Sequence, residues 1–112
     1  ANGGKVAMID LESPANPTNA LVDVEAVRDA RNAVLGRAQA AEGVSTSETA
    51  DTPIAIDNTF LGPLWARPID QGADIVVYSL TKYVGGHSDL VAGSIAGAEK
   101  WITPVRMLRN TM

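Results

Sequence analysis

The sequence predicts an α/β fold built on a mostly parallel sheet with flanking helices. Short apolar runs rich in β-branched residues recur along the chain, and segments of helical spacing separate them. The runs are continuous in apolar character rather than alternating, as strands covered on both faces must be.

Taken in order, Val6-Ala7-Met8-Ile9 reads as a buried strand that passes into Asp10-Leu11-Glu12 and is stopped by Ser13-Pro14. Pro14 and Pro17 forbid a regular element in the loop that follows. From Asp23, which suits an N-cap, Val24, Val27, Val34, Ala38 and Ala41 fall at helical spacing, and Gly43 is a natural stop. The polar stretch Val44 to Thr52 is expected to be an exposed connection. Ile54-Ala55-Ile56 is a second buried strand. Gly62-Pro63 breaks the chain, and Pro68 fits the first turn of a short helix ending at Gly72. Ile75-Val76-Val77-Tyr78 is the third strand, followed by a loop from Thr81 to Asp89 and a Gly-interrupted strand from Leu90 to Ala96. Trp101, Ile102, Val105 and Leu108 give the last segment the apolar stripe of an amphipathic helix.

Composition narrows the function. The 112 residues suit one modest core, and the formal net charge of −4 without a basic stripe argues against nucleic acid or an anionic membrane as partner. The chain has no cysteine, which excludes disulfides, thiolate metal sites and a cysteine nucleophile. No apolar run approaches the roughly 20 residues that span a bilayer, and no secretory signal pattern opens the chain, so a cytoplasmic location is expected. The chain enters an apolar run by Val6 without an initiator methionine and leaves inside a helix at Met112. Both ends are therefore expected to be cut from a larger polypeptide.

In open α/β sheets, ligands bind beyond the carboxyl ends of the strands. The first three predicted strands lead there into Asn16, into Asp57-Asn58-Thr59 and into Ser79-Leu80-Thr81-Lys82. Lys82, just past a buried strand, has an amine that partial desolvation would make nucleophilic toward an aldehyde. Ser79 and Thr81 supply two hydroxyls for one anion, and Asp57 a carboxylate for a protonated ring nitrogen. An amine, phosphate donors and a carboxylate are what a pyridoxal-phosphate (PLP) site needs. Taken singly, each has a plainer reading as a solvated lysine or a turn residue. His87 and Asp89 make a poor metal ligand set, so a structural hydrogen bond is expected of His87 and no metal site. Gly85 and Gly86 fit a tight backbone path beside the lysine, and Trp65 and Trp101 read as packing residues.

The run Tyr78-Ser79-Leu80-Thr81-Lys82-Tyr83-Val84-Gly85-Gly86-His87-Ser88-Asp89 resembles the PLP-lysine signature of the Cys/Met metabolism enzymes, a family that includes the cystathionine γ-synthases, cystathionine γ- and β-lyases, methionine γ-lyases and O-acylhomoserine sulfhydrylases. Glu12-Ser13-Pro14-Ala15-Asn16-Pro17 and Asp57-Asn58-Thr59-Phe60 agree, in the expected order. The resemblance implies a fold-type-I, aspartate-aminotransferase-like enzyme, with residues 1–112 forming the central part of its large PLP-binding domain. It implies that Lys82 is the Schiff-base residue and proton carrier, that Asp57 pairs with the pyridine nitrogen, and that Ser79 and Thr81 bind the phosphate. Asn16 would reach the cofactor's phenolic oxygen and the substrate carboxylate region, and Thr59 would pack beside the ring. The expected chemistry is γ- or β-elimination or replacement on homoserine-derived or sulfur amino acids, in a homo-oligomer expected to be a tetramer.

The chain also departs from the family. Residues 1–112 are expected to exclude the upstream aromatic that stacks on the ring, the Gly-containing turn that shares the phosphate, the N-terminal arm and the C-terminal domain. The stretch from Arg31 to Thr52 is longer than the usual helix-to-strand connection. Two rival readings follow. In one, the chain is an inert fragment or a non-catalytic paralogue that keeps only the core. In the other, Ser79-Leu80-Thr81-Lys82 is the S-x-x-K of a serine acyl-enzyme, which needs both residues on one face of a helix; the β-branched lead-in and Gly85-Gly86 argue against that.

Overall fold

The computed structural model describes residues 6–42 and 52–111. The elements are strand β1 (Ile9–Glu12), helix α1 (Val24–Glu42), strand β2 (Ile54–Asp57), a one-turn helix α2 (Gly62–Trp65), strand β3 (Ile75–Ser79), strand β4 (Gly93–Gly97) and helix α3 (Glu99–Thr111). The sheet order is β1-β2-β3-β4. β1 pairs parallel with β2 and β2 parallel with β3, whereas β4 lies antiparallel to β3. The predicted α/β class with a mostly parallel sheet is the one observed.

The core lies between one sheet face and α1. Ile54, Ile56 and Val76 are buried there with Val24 and Ala73, and Ile9, Leu11, Val27 and Tyr78 pack around them. α1 begins as its sequence dictates: the Asp23 carboxylate accepts the Ala26 amide at 3.0 Å, an N-cap bond that occupies one otherwise orphaned donor. Its body is tied down by Arg31, whose Nη1 meets Asp74 Oδ2 at 2.6 Å and the Thr52 carbonyl at 3.3 Å. The same Asp74 oxygen accepts the Ile54 amide at 2.9 Å, so one carboxylate joins the helix to the entry of β2.

Four expectations are corrected, three here and one at β4 below. The first strand starts at Ile9 rather than Val6, because pairing begins only where β2 offers partners: the Ile9 amide bonds the Pro53 carbonyl at 2.9 Å and Ile9 faces Ile54. Val6 and Met8 are exposed. The segment from Pro68 to Gly72 is a run of turns and not a helix, since Asp70, Gln71 and Gly72 each donate three residues back and the Ala73 amide returns to the Pro68 carbonyl. The short helix lies earlier, at Gly62–Trp65 with Pro63 in its first turn. Trp65 is 79% exposed, because a single turn has no second face to bury it.

Gly43 and most of the Val44–Thr52 connection lie outside the described residues. Thr52 itself is buried, with its hydroxyl donating to the Val6 carbonyl at 3.0 Å. β4 runs from Gly93, three residues later than predicted, and α3 follows its predicted course. Trp101 is half-buried, and the Lys100 ammonium stands 4.8 Å from the centre of its ring. No helix among the described residues is long and apolar enough to cross a membrane.

Candidate active site

Because β1, β2 and β3 run parallel, their carboxyl ends share one edge of the sheet. The register sets Glu12 beside Asp57 and Asp57 beside Val77, so the end of β2 is flanked on both sides. The segments that leave this edge carry Asn16, Asp57 with Thr59, and Ser79 through Lys82. The topology therefore collects in one place residues that are far apart in sequence.

Asp57 is half-buried at the last position of β2. Its Oδ1 accepts the Thr59 amide at 2.9 Å, and its other oxygen takes no hydrogen bond among the described residues. Thr59 passes the connection on, its Oγ1 accepting the Ser79 amide at 2.8 Å. Carboxylate, turn and the end of β3 are thus linked by two hydrogen bonds. The Ser79 hydroxyl has no partner among the described residues. Thr81 differs: its Oγ1 accepts the Ala92 amide at 2.9 Å and donates to the Ala92 carbonyl at 3.2 Å. A hydroxyl has one proton, and that of Thr81 goes to the backbone ahead of β4.

Lys82 is exposed, and its amine makes no hydrogen bond or ion pair among the described residues. It stands in a wide turn, Leu80–Val84, whose helical course is interrupted at Lys82 itself (φ −88°, ψ −116°). The Gly85 amide bonds the Leu80 carbonyl and the Gly86 amide the Lys82 carbonyl, both at 2.8 Å. A Cβ on Gly85 would stand 2.7 Å from the Leu80 oxygen, and Gly86 has φ +76°, so the predicted tight path demands both glycines. Phe60 and Tyr83 bring their rings to 5.7 Å, fastening the turn after β2 to the turn that bears the lysine. His87 places Nδ1 2.9 Å from the Gly85 carbonyl, a structural hydrogen bond as expected. Asn16 is exposed in a loop closed by the Ala15 amide on the Ala20 carbonyl and the Val22 amide on Ser13 Oγ.

Ser79 ends a strand, and Lys82 follows it with non-helical dihedrals. The two do not share a helix face, which removes the geometry an S-x-x-K nucleophile needs. A cavity of about 480 Å³ lies elsewhere, lined among others by Leu21, Val24, Ile56, Asn58, Trp65 and Asp70. None of Asn16, Asp57, Thr59, Ser79, Thr81 or Lys82 borders it. The candidate residues lie at the strand edge instead.

Residues 2–112 match the sequence profile of the Cys/Met metabolism PLP-dependent enzymes. The chain belongs to that family. It is 40% identical over 101 residues to the L-methionine gamma-lyase of Porphyromonas gingivalis, covering 90% of this chain and 22% of that protein. It is 35% identical over 111 residues to the chloroplastic cystathionine gamma-synthase 1 of Arabidopsis thaliana, covering 99% and 17%. Among solved structures it resembles CalE6, a methionine gamma lyase from Micromonospora echinospora, with a TM-score of 0.71 at 30% identity over 94% of this chain and 25% of that one. The cystathionine gamma synthase of Xanthomonas oryzae pv. oryzae gives 0.67 at 31% identity over 88% and 21%. The chain spans about a fifth of the length of these family members.

The residues fit the family's cofactor. PLP presents an aldehyde, a ring nitrogen and a phosphate, and asks for an amine, a carboxylate and hydrogen-bond donors. Among the described residues, the edge holds an unengaged amine on Lys82, one unengaged oxygen on Asp57 and an unengaged hydroxyl on Ser79. Sequence reasoning missed Asn58 and Ala92 as the groups that hold this edge together. Asn58 was visible in principle: Ile54, Ile56 and position 58 alternate onto the core face, where an amide is out of place. The partnership of Thr81 with Ala92 depends on how β4 returns, and no local pattern announces it.

Proposed function

We propose that this chain is the central part of the large PLP-binding domain of a fold-type-I enzyme. The whole protein would catalyse γ- or β-elimination or replacement on homoserine-derived or sulfur amino acids, as cystathionine γ-synthases and γ-lyases do. The observation that carries this reading is the Asp57–Thr59–Ser79 connection, which holds a carboxylate and a hydroxyl at the ends of adjacent parallel strands, three residues from an unengaged lysine.

In this reading the Lys82 amine is the covalent anchor. Its Nζ, when free, would serve as the base that takes the proton from the substrate α-carbon and returns protons to neighbouring atoms. The oxygen of Asp57 that takes no hydrogen bond among the described residues would hold the protonated ring nitrogen, while the Thr59 amide on the other oxygen fixes the carboxylate's rotation. Ser79 would donate to the phosphate, and Thr81 would join it once its proton turned from Ala92. Asn16 would hold the phenolic oxygen, and Thr59 would pack beside the ring. When bound, PLP supplies the electron sink for charge developing at the substrate α-carbon. A homotetrameric, cytoplasmic parent acting on a small amino acid completes the reading; it rests on the family resemblance and the mildly acidic composition.

The test is a visible absorption spectrum of the protein with added PLP, before and after borohydride reduction, followed by peptide mapping. A reducible band with the label on Lys82 is expected. If the full-length parent gives no such band, the chain is the core of a non-catalytic relative and the reading fails.

A further inference from the structure

Asn58 is the most deeply buried polar side chain among the described residues, at 1% exposure. Its amide nitrogen Nδ2 faces three oxygens: the Gly62 carbonyl at 3.0 Å, the Ala66 carbonyl at 3.3 Å and the Tyr78 hydroxyl at 3.4 Å. Two carbonyls can only accept, so they fix which end of the amide points at them. Its backbone amide donates to the Val77 carbonyl at 3.0 Å, adding one bond to the β2–β3 ladder beyond Asp57. Its Oδ1, by contrast, is buried with no partner among the described residues. An orphaned buried acceptor is a cost, and a residue present only to fill the core would avoid it. What the amide achieves with its donors is to bind the α2 turn, β3 and the end of β2 at a single point.

We infer that Asn58 is a positioning residue for the cofactor edge, acting through its neighbours on either side. It precedes Thr59, whose amide and hydroxyl hold Asp57 and Ser79, and it follows Asp57 directly. Through Tyr78 it grips the residue before Ser79. Strand alternation puts Asn58 and Tyr78 on the core face and Asp57 and Ser79 on the other. Asn58 therefore holds the site from behind and touches neither cofactor nor substrate. The inference rests on the proposed PLP function.

The test uses the full-length protein with Asn58→Ala, Tyr78→Phe and, as a control for general destabilisation, Arg31→Ala, whose contacts lie at the opposite end of the strands. Two readouts are taken: PLP affinity by titration of the apoprotein, and amide hydrogen exchange at Thr59 and Ser79 in the apoprotein without cofactor. Asn58→Ala is expected to weaken PLP about tenfold, the equivalent of one hydrogen bond's net worth, and to speed exchange at both amides about as much. Tyr78→Phe, which keeps the ring, is expected to move both readouts in the same direction by a few-fold. Arg31→Ala is expected to lower the unfolding midpoint while leaving both unchanged. Equal PLP affinity and exchange in wild type and Asn58→Ala overturns the inference, as does an equal shift in Arg31→Ala. Should Asn58→Ala fail to fold, Tyr78→Phe decides alone, and no shift in it overturns the inference. Failure of the wild-type protein to take up PLP overturns the functional reading and this inference with it.

Discussion

Replacing Asp74 by alanine is expected to destabilise the protein by about 3 kcal/mol, more than replacing its ion-pair partner. Asp74 Oδ2 serves two donors, Arg31 Nη1 at 2.6 Å and the Ile54 amide at 2.9 Å. Its side chain is 26% exposed and that of Arg31 16%, so neither charge is fully screened by water. A hydrogen bond to a charged group contributes about 1.5–3 kcal/mol, and stranding a buried donor costs about 1–3 more. Asp74→Ala incurs both, because Ile54 is wholly buried and its amide has no other acceptor among the described residues. Arg31→Ala leaves the Ile54 amide satisfied and a carboxylate that water can reach, so about 1–2 kcal/mol is expected. The double variant should lose less than the sum of the two by about 1 kcal/mol, the coupling expected of groups in direct contact. Urea unfolding followed by far-ultraviolet circular dichroism measures all three. If Arg31→Ala proves at least as damaging as Asp74→Ala, the Ile54 amide is not the decisive partner and the reasoning is wrong.

Lys82→Ala should abolish the borohydride-reducible band and change unfolding free energy by less than about 0.5 kcal/mol, as surface substitutions do; an equal band in wild type and variant refutes the assignment. Asp57→Asn should keep the cofactor but lose most turnover in the full-length parent, since the ring nitrogen loses its ionic partner; near-normal turnover would remove that role from Asp57. Ser79→Ala and Thr81→Val should part company. The first is expected to weaken PLP retention with little effect on stability, and the second to cost about 1–3 kcal/mol by stranding the Ala92 amide, whose carbonyl keeps the Thr81 backbone amide. Thermal melts beside cofactor titrations separate them, and equal stability losses would contradict the geometry described above.

Much of the architecture was legible because strand and helix periods are local. Ile54-Ala55-Ile56 and Ile75-Val76-Val77 are apolar at every position, and the structure buries β2 from both sides as such a run requires. Asp23 announced its helix through a capping side chain that acts within three residues. What went astray depended on distant partners. β1 begins at Ile9 because of what β2 offers across the ladder, which nothing in Val6-Ala7-Met8 encodes. Pro68 and Gly72 marked a real start and stop, but the span between them is too short to choose between a helix and successive turns. At the site, the types of Asp57, Ser79 and Lys82 were legible from the chemistry they suit. The engagement of Thr81 with Ala92 was not, because a residue eleven positions away supplies both bonds.

That bridge divides the chain between β3 and β4 into two mechanical parts. Thr81 and Ala92 close its neck through the Thr81 amide as well as the hydroxyl, so the entropy of bringing the ends together is spent at the base. Lys82 is next to the neck, on the ascending side and braced by the Gly85 and Gly86 amides, whereas His87 to Val91 form the exposed far side. Lengthening or cutting the far side leaves the base shut, and with it the place from which the amine projects. The Lys82 amine rides on the fixed post of this loop, and the exposed span beyond it hangs from a base that is already closed.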